Sequence, residues 1–321
     1  MRALDDSLKT RLACVVLNWR SYAWTRRCLR CLDRQDRPHL LWLVDNESDR
    51  GRLDALRSEW SAVEAIPLED NIGYPAGMNV GIRAALRAGV THVALINNDC
   101  LLPPRTLSIL MSVFERRPDA GVVGVRLVNE PERDVIQSQG IDVNERTGRI
   151  RLRRHGRRLG GLSDETEGRI EEVDAVSGAL MVISARCLQR VGLLEESYFF
   201  SFEDIEFCLR ARAAGFRVVV TSEIAVPHRG GASMGASPAQ LYFAMRNQLA
   251  VSDKLKPGPF GVGRMFRRVC VVGLNIAAAI RTPRVDRGWG MRPLAGGLYD
   301  FMRGRWGNPA PGQGGDVPSE R

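Results

Sequence analysis

The sequence contains no run of about eighteen apolar residues, the length that a helix needs to cross a bilayer. Its first 11 residues are charged and lack the apolar stretch of a secretory signal peptide. We therefore expect a cytoplasmic protein whose membrane contact, where it has one, is peripheral and on the inner face of the plasma membrane. With 321 residues and 44% hydrophobic composition, the chain can bury the core of one large domain, or of a domain with an appendage.

Zinc-binding and nucleic-acid-binding motifs are also missing. Cys28 and Cys31 form a lone Cys-x-x-Cys pair without a second pair or nearby histidines, so we expect them on a packed helix face. The basic run at residues 149–158 has no aromatic side chains for base stacking and alternates like an edge strand, so we expect no nucleic-acid partner. The net charge of +9 comes almost wholly from arginine, which suits phosphates and anionic lipids but also fits a simple compositional bias.

A glycine-rich loop after the first strand is missing as well. Residues 12–17 predict a buried strand that ends at Asn18, and helical spacing follows over residues 22–32. A dinucleotide-binding fold places Gly-x-Gly-x-x-Gly at this turn, and a sugar nucleotidyltransferase also needs glycines there. The sequence therefore argues against both classes.

The second strand, predicted at residues 40–44, ends in Asp45 and Asn46. A carboxylate at this place can accept the ring N–H of uracil, thymine or guanine, which adenine does not offer. Capping of the following helix by Ser48 or Asp49 is the alternative explanation for this stretch.

Glycines and asparagines are concentrated between the third strand, at residues 63–67, and an alanine-rich helix that runs to residue 88. Asn71 and Asn79 can hydrogen-bond to a base or a ribose, and Gly73 lets the backbone approach a ligand closely. Close packing of the helix on the sheet is the alternative reason for these glycines.

The central strand is predicted at residues 93–96, where a short apolar run suits a strand covered on both faces. It ends in Asn97, Asn98 and Asp99. Ligands bind at the carboxyl edge of an open α/β sheet, and a carboxylate with amides offers the oxygen ligands that Mg²⁺ or Mn²⁺ prefers. This stretch therefore indicates a metal site, with an Asx turn before the next helix as the other interpretation.

Four successive strand–helix units predict a doubly wound, mostly parallel α/β sheet whose nucleotide-binding half spans residues 11–128. The polar stretch at residues 129–173 predicts an excursion that carries an antiparallel hairpin. We expect residues 129–255 to form the acceptor half of the same catalytic domain, residues 1–255. Within that half, Ser177 and Gly178 offer a small-residue surface beside the ligand.

Two carboxylates, Glu203 and Asp204, open a predicted helix directly after an aromatic run that ends at Phe202. Acidic residues at helix starts commonly act as caps. An apolar wall beside them raises the basicity of a carboxylate, which also suits a general base. His228 follows a later apolar run in a glycine-flanked loop, where it is either a metal ligand or a structural histidine.

The chain changes character after a predicted amphipathic helix at residues 240–255, which carries Arg246. Residues 256–306 are basic and amphipathic. Within them, an apolar stretch at residues 269–280 is bracketed by arginines, which predicts a helix lying on an anionic membrane surface. Packing of this helix on the core is the competing interpretation. We expect the glycine- and proline-rich tail, residues 307–321, to be disordered.

Together these motifs resemble the inverting family 2 glycosyltransferases of the A-type fold, in particular the rhamnosyltransferase-like branch. The resemblance spans about residues 13–255. The matching positions are Asn18; Asp45, Asn46, Ser48 and Asp49; Asn71, Gly73, Gly77, Asn79 and Gly81; Asn97, Asn98 and Asp99; Glu203, Asp204, Cys208 and Arg210; His228; and Tyr242, Arg246 and Asn247. The chain departs from the family pattern at Arg50, which intervenes before Gly51, and at Asn97, which replaces the first aspartate of the Asp-x-Asp metal motif.

The resemblance implies transfer of a sugar, with rhamnose as a candidate, from a dTDP or UDP sugar to an acceptor hydroxyl with inversion. It implies Asp204 as general base with Glu203 beside it, and Mg²⁺ or Mn²⁺ on Asp99 and His228. Donor contacts are assigned to Asn18, Asp45, Asn46, Asn71, Gly73, Asn79, Asn97, Asn98 and Arg246, and acceptor contacts to Ser177, Gly178 and Phe202.

The expected partners are a nucleoside diphosphate sugar, a lipid-linked saccharide or other hydroxyl acceptor of cell-surface polysaccharide or glycolipid synthesis, and an anionic membrane surface. Two alternatives stay open. One is a catalytically silent sugar-nucleotide-binding partner in a polysaccharide assembly complex, and the other is a transferase for a soluble acceptor.

Overall fold

The structure, a computed structural model, describes residues 11–47, 49–161, 168–230, 237–255, 261–281 and 287–308. Ser48 of the second motif and residues 309–321 of the predicted tail lie outside the described residues. Within these ranges, no helix has the length and apolar character required to span a membrane.

The N-terminal half alternates strands and helices, as predicted. Its strands are β1 (Leu12–Asn18), β2 (Leu40–Asp45), β3 (Val63–Pro67) and β4 (His92–Asn97). The helices that follow them are α1 (Tyr22–Asp33), α2 (Arg50–Glu59), α3 (Tyr74–Arg87) and α4 (Thr106–Arg116). These strands pair in parallel in the order β3-β2-β1-β4, so their carboxyl ends meet at one edge of the sheet.

The second half completes the sheet and adds antiparallel strands to it. Its strands are β5 (Ala120–Asn129), β6 (Ile136–Ser138), β7 (Ile141–Val143), β8 (Ile150–Leu152), β9 (Ile170–Glu172), β10 (Leu180–Ser184) and β11 (Arg217–His228). The main sheet continues β4-β10-β5-β11-β9. Because β10 runs antiparallel to β4, the residues just before it lie at the same edge as the carboxyl ends of β1 and β4.

The sheet is buried on both faces, which explains why its central strands are continuous apolar runs. All seven residues of β1 are buried. Alternate residues of this strand belong to two separate apolar clusters: Val15 packs in the cluster with α3, and Val16 packs in the cluster with α1 and α4.

The predicted hairpin excursion is present. β7 and β8 pair antiparallel as a separate two-stranded sheet. The arginines of the basic run form ion pairs within this half of the chain, since Arg151 and Arg153 bind Asp142 and Arg154 binds Glu171. These ion pairs give the alternating arginines a structural role.

The remaining helices are α5 (Ala185–Val191), α6 (Glu203–Ala213), α7 (Pro238–Lys254), α8 (Val262–Arg281) and α9 (Arg287–Met302). α7 starts two residues before the prediction because Ser237 caps it by accepting a hydrogen bond from the Gln240 N–H. α8 and α9 both pack against α7 around a small apolar cluster that includes Leu249, Val271 and Leu294. The predicted apolar stretch therefore packs on the rest of the protein with one face.

Candidate active site

Asp45, at the carboxyl end of β2, links three elements. Its Oδ1 accepts a hydrogen bond from Asn18 Nδ2 at 2.7 Å, and its Oδ2 accepts one from the Tyr22 hydroxyl at 2.7 Å. Burial raises the pKa of the Asp45 carboxyl, whereas the two hydrogen bonds favour its ionised form. Asp45 and Asn18 are both 0% exposed, so they lie below the surface at the place predicted to recognise the base.

A turn that begins at Asn71 lies against the end of β2, where Asn46 holds it. The Asn46 side chain donates to Asn71 Oδ1 at 2.9 Å and accepts from the Ile72 N–H at 3.1 Å. Gly73 follows with a φ of +90°, and a Cβ atom there would come within 2.7 Å of the Phe199 carbonyl oxygen. Only glycine fits so close an approach, which brings two loops of the site together.

The later part of this motif serves packing. A Cβ atom on Gly81 would lie 2.3 Å from Val15 Cγ1, so α3 approaches β1 closely only because this residue is glycine. Asn79 is 1% exposed, and its side chain donates to the Leu194 carbonyl at 2.8 Å and accepts from the Leu194 N–H at 3.0 Å. Asn79, predicted as a donor contact, therefore faces the protein interior and holds the backbone of Leu194.

The two asparagines at the end of β4 differ in their contacts. Asn98 Nδ2 donates to Thr25 Oγ1 at 2.9 Å, which fixes this side chain to α1. Asn97 Oδ1 is buried and accepts no hydrogen bond from the described residues. Such an acceptor is costly to leave unsatisfied, so a ligand donor or a cation at this position would be stabilised.

Asp99 and His228 form a candidate metal site. His228 Nε2 lies 3.1 Å from Asp99 Oδ1 and is buried, but it makes no hydrogen bond within the described part of the chain. His228 Nδ1 lies 2.6 Å from Gln137 Oε1 and donates its proton there, which leaves the Nε2 lone pair free. An imidazole nitrogen beside a carboxylate oxygen fits a divalent cation such as Mg²⁺ or Mn²⁺.

Cys100 lies beside this pair but is not suited to the same cation. Its sulfur is within 4.8 Å of the ligand atoms of Asp99 and His228. Burial raises the pKa of the Cys100 thiol well above its ordinary value, and the thiol donates to the Ala179 carbonyl at 3.1 Å. A soft sulfur that already donates to a carbonyl is a poor ligand for Mg²⁺ or Mn²⁺, which leaves the carboxylate and the imidazole for such a cation.

Glu203 and Asp204 begin α6, as predicted, and their surroundings differ. Asp204 Oδ2 accepts from the Gly178 N–H at 2.7 Å, and its Oδ1 accepts from the Ile205 N–H at 2.8 Å. Glu203 Oε2 is buried and accepts no hydrogen bond from the residues that the structure describes. Burial raises the pKa of both carboxyls, and the charge of Asp204 helps to raise that of Glu203 to about 8. At neutral pH the hydrogen-bonded Asp204 therefore carries the charge and Glu203 stays protonated.

Gly178 positions the Asp204 carboxylate. A Cβ atom at residue 178 would lie 3.2 Å from Asp204 Cβ, which is closer than ordinary contact. The Gly178 carbonyl accepts from the Tyr74 hydroxyl at 3.0 Å. Burial raises the pKa of Tyr74 well above its usual value, and the nearby Asp204 and Asp99 carboxylates add to this effect. The pKa of Tyr74 therefore depends on the charge of the proposed base and on that of a candidate metal ligand.

The chain before α6 has an unusual backbone. Phe199, Ser201 and Phe202 have positive φ angles of 62°, 66° and 72°, a region that costs a non-glycine residue roughly 1–2 kcal/mol. The Phe200 N–H donates to the Tyr198 carbonyl at 2.7 Å, so Phe199 lies at the centre of a γ-turn with positive φ. Three such residues within four positions persist only where other contacts hold them. We call residues 198–202 the aromatic loop.

Asn247 and Arg246 of α7 hold the aromatic loop. Asn247 Nδ2 donates to three of its carbonyl oxygens at 2.7–3.0 Å. Arg246 Nη2 donates to the Tyr198 carbonyl at 2.9 Å, and its Nη1 donates to the Gly307 carbonyl at 2.8 Å. Arg246 is 1% exposed. The arginine predicted to bind the donor is therefore buried, and its guanidinium binds the loop and the C-terminal chain.

Ser177 and Phe202, assigned by the sequence to the acceptor side, have local structural roles. Ser177 Oγ accepts from the Ala179 N–H at 3.3 Å, and Phe202 precedes α6 in a left-handed conformation. Both side chains are half-buried. Their contact with an acceptor stays a prediction.

The sequence patterns did not indicate three side chains of the site, Tyr22, Tyr74 and Gln137. The two tyrosines follow polar or glycine-rich turns at the carboxyl edge, and this position could have indicated a hydroxyl within reach of the strand ends. Gln137 lies in β6, within the polar excursion, and no spacing in the sequence brings it to His228.

The mostly parallel sheet, the polar carboxyl edge and the carboxylate pair are features of an α/β enzyme that handles nucleotide-activated substrates. The chain belongs to the glycosyltransferase like family 2, whose family model matches residues 10–250. The low-salt glycan biosynthesis hexosyltransferase Agl10 of Haloferax volcanii is 28% identical over 220 residues, which cover 66% of this chain and 67% of that protein. The N-acetylglucosaminyl-diphospho-decaprenol L-rhamnosyltransferase of Mycobacterium tuberculosis is 26% identical over 223 residues, covering 64% and 71%. The family resemblance of the motifs is confirmed.

Solved structures share the fold. The mannosyltransferase PcManGT from Pyrobaculum calidifontis, in complex with GDP-Man and Mn²⁺, has a TM-score of 0.57 at 13% identity and covers 92% of this chain and 88% of its own. TarS 1-349 from S. aureus, in complex with UDP-GlcNAc, has a TM-score of 0.53 at 15% identity, with 92% and 93% covered. At these identities the likeness concerns the fold alone, and it confirms the predicted architecture.

Proposed function

We propose that this glycosyltransferase moves a hexosyl group, with rhamnose as the first candidate, from a dTDP or UDP sugar to a hydroxyl of a lipid-linked saccharide, with inversion. The observation that carries the proposal is the Asp204 carboxylate, held by two backbone N–H groups at the sheet edge that also bears Asp99 and His228. The named activity of the mycobacterial relative supports the sugar and the lipid-linked acceptor, and the UDP-GlcNAc complex of TarS supports a nucleotide-sugar donor.

Asp204 is the general base of this reaction. It takes the proton of the acceptor hydroxyl as that oxygen attacks the anomeric carbon, and the nucleoside diphosphate leaves from the opposite face. Burial raises the pKa of Asp204 and makes it a stronger base than an exposed aspartate, while its two hydrogen bonds fix its position. Proton transfer of this kind contributes about 10²–10⁴-fold to the rate. Since Glu203 stays protonated, one negative charge rather than two faces the acceptor.

Asp99 and His228 would hold the divalent cation, Mg²⁺ or Mn²⁺. When bound, such an ion neutralises the charge that develops on the leaving diphosphate. Gln137 keeps His228 in the tautomer that can ligate. The complex of the mannosyltransferase with Mn²⁺ supports this assignment.

The reaction is proposed to take place at the inner face of the plasma membrane, in the synthesis of a cell-surface polysaccharide or glycolipid. A lipid-linked acceptor resides in the bilayer, whereas a nucleotide sugar is dissolved in the cytoplasm, so the enzyme must meet both at this boundary. The relatives named for glycan synthesis and for a decaprenol-linked acceptor support this location.

The experiment that tests the function begins with donor binding. Thermal unfolding would be followed with Mn²⁺ and with UDP, dTDP, GDP, ADP or their sugars, and a bound nucleotide raises the midpoint. We expect a rise with the pyrimidine diphosphates and none with ADP, because a carboxylate at the end of β2 can accept an imide N–H, which adenine lacks. Asp45 already accepts from Asn18 and Tyr22, so the base would use a remaining lone pair of this buried carboxylate. Equal shifts with ADP would contradict the assignment of the base.

Asp204→Asn then separates catalysis from binding. Asparagine keeps the size of the side chain and one acceptor oxygen but cannot take a proton, so turnover should fall by at least about 10²-fold while donor affinity by calorimetry is nearly unchanged. Wild-type turnover would place the base elsewhere. Loss of donor affinity together with turnover would make Asp204 a binding or folding residue.

A further inference from the structure

α8 has two apolar faces that point in opposite directions. One face docks on α7, where Val271 and Ala279 are buried and Asn275 Nδ2 donates to Gln248 Oε1 at 2.9 Å. The opposite face carries large apolar side chains that are 53–89% exposed: Val262, Met265, Phe266, Val269 and Ile280. With about 100° between successive helical residues, these five lie within roughly 60° of one line along the helix. We call them the α8 stripe.

Exposed apolar side chains continue in α9 and in the chain that follows it. They are Met291, Tyr299, Met302 and Trp306, each 41–67% exposed. Single exposed apolar side chains are ordinary on protein surfaces, but a concentration of them marks an interaction surface. The part of α8 opposite its docking face is therefore unlike the surface of a helix that faces only water.

The exposed charges on α8, and on the described part of α9 and the chain after it, have one sign. In residues 261–281 and 291–308, every exposed or half-exposed charged side chain is an arginine, and Arg281, Arg292 and Arg303 are exposed examples. The acidic residue of this stretch, Asp300, is 3% exposed and accepts from the Tyr242 hydroxyl at 2.6 Å. An apolar stripe on a helix that ends in an exposed arginine, next to a helix whose exposed charges are arginines, is complementary to a bilayer that combines acyl chains with anionic headgroups.

We propose that the α8 stripe, with the exposed arginines at the end of α8 and in α9, forms a membrane-docking surface, which lies in the headgroup region of a bilayer rich in anionic phospholipid. The apolar side chains enter the acyl boundary, and the arginines bind lipid phosphates. A second copy of the chain fits less well, because a two-fold interface would bring the arginines of both copies together. The proposal deepens the location given above, but vesicle binding and sugar transfer are separate measurements, so either can fail alone.

The test is sedimentation of the full chain with vesicles of phosphatidylcholine, with or without about one third phosphatidylglycerol, at low and high salt. We expect binding to the anionic vesicles and a marked loss in high salt. Phe266→Gln combined with Val269→Gln should weaken this binding at least about tenfold. Arg281→Gln and Arg292→Gln should each weaken it about fivefold.

Matched controls lie outside the C-terminal helices. Leu152→Gln removes an apolar side chain of β8 that is 37% exposed, and Arg87→Gln removes an exposed charge of α3; both should leave binding unchanged. The unfolding midpoint of each variant verifies that it is folded.

Several results would overturn the proposal. They are an absence of vesicle binding, binding that survives the double substitution in the α8 stripe, and equal losses in the controls. A dimer that is dispersed by Phe266→Gln with Val269→Gln, without vesicle binding, would assign the α8 stripe to a second copy.

Discussion

Replacement of Asn247 by alanine tests whether the strained aromatic loop is held by hydrogen bonds. The Asn247 carboxamide donates to the carbonyls of Tyr198, Phe200 and Ser201. A typical hydrogen bond contributes roughly 1 kcal/mol to stability, and the Tyr198 carbonyl keeps its bond from Arg246. Counting the two carbonyls that lose this donor and the Arg246 Nε–H that loses its acceptor, Asn247 Oδ1, we expect Asn247→Ala to lower the free energy of unfolding by about 3 kcal/mol, measured by urea denaturation.

The same substitution should reduce catalysis more than binding. The aromatic loop leads directly into α6, which carries Asp204, and a misplacement of about 1 Å in a reacting group can cost about 10²-fold in rate. We therefore expect kcat to fall by one to two orders of magnitude, about 10–10²-fold, with little change in the KM for the donor. An equal rise in KM would indicate that the loop binds the donor instead.

Two further variants test whether these hydrogen bonds hold the aromatic loop. Asn247→Asp keeps the size of the side chain and an acceptor for the Arg246 Nε–H, but it presents oxygens to three carbonyl oxygens, so it should be less stable than the wild type. Ser201→Gly relieves a positive φ of 66° and should recover about 1 kcal/mol in the Asn247→Ala background. Wild-type stability of Asn247→Asp, or no recovery with glycine, would show that these hydrogen bonds do not hold the loop.

Two other predictions concern protonation and metal affinity. Burial and the charge of Asp204 raise the pKa of Glu203 to about 8. The protonated carboxyl therefore makes its full contribution to the free energy of unfolding below about pH 4, near the pKa of a glutamate in the unfolded chain. This contribution is lost as the pH rises through 8. Glu203→Gln cannot ionise, so the variant should gain stability over the wild type between pH 5 and 9 in thermal unfolding; identical pH profiles would contradict the raised pKa. Gln137→Ala removes the acceptor for His228 Nδ1 and should weaken Mn²⁺ binding about 10–100-fold by calorimetry, with the fold retained. Unchanged Mn²⁺ affinity would show that His228 does not need this partner.

The order of strands and helices could be predicted because it follows from local patterns. Buried parallel strands are continuous apolar runs, and their polar ends, at Asp45 and Asp99, mark the carboxyl edge. The direction of β10 could not be predicted, because a fully buried strand gives the same apolar run in either direction. Its antiparallel course brings Gly178 to Asp204, which is the contact that positions the proposed base.

The roles of polar side chains were harder to predict than their positions. The family resemblance assigned Arg246 to the donor, but its guanidinium binds backbone carbonyls in the interior. Asn79 was expected to meet the nucleotide, but it holds the backbone of Leu194. Neither role has a local signal, because the partner carbonyls lie 48 and 115 residues away.

The hydrogen bond between Arg246 and Gly307 means that the folded catalytic unit is longer than the family match, which ends at residue 250. The Gly307 N–H in turn donates to the Ser197 carbonyl at 3.0 Å, one residue before the aromatic loop. A fragment that ends with α7 would lack the contacts of Gly307 with Arg246 and Ser197, together with the α8 stripe. Low activity in such a fragment would then result from a loosened aromatic loop as much as from a lost membrane contact. The informative comparison is the whole chain with Phe266→Gln and Val269→Gln in the α8 stripe.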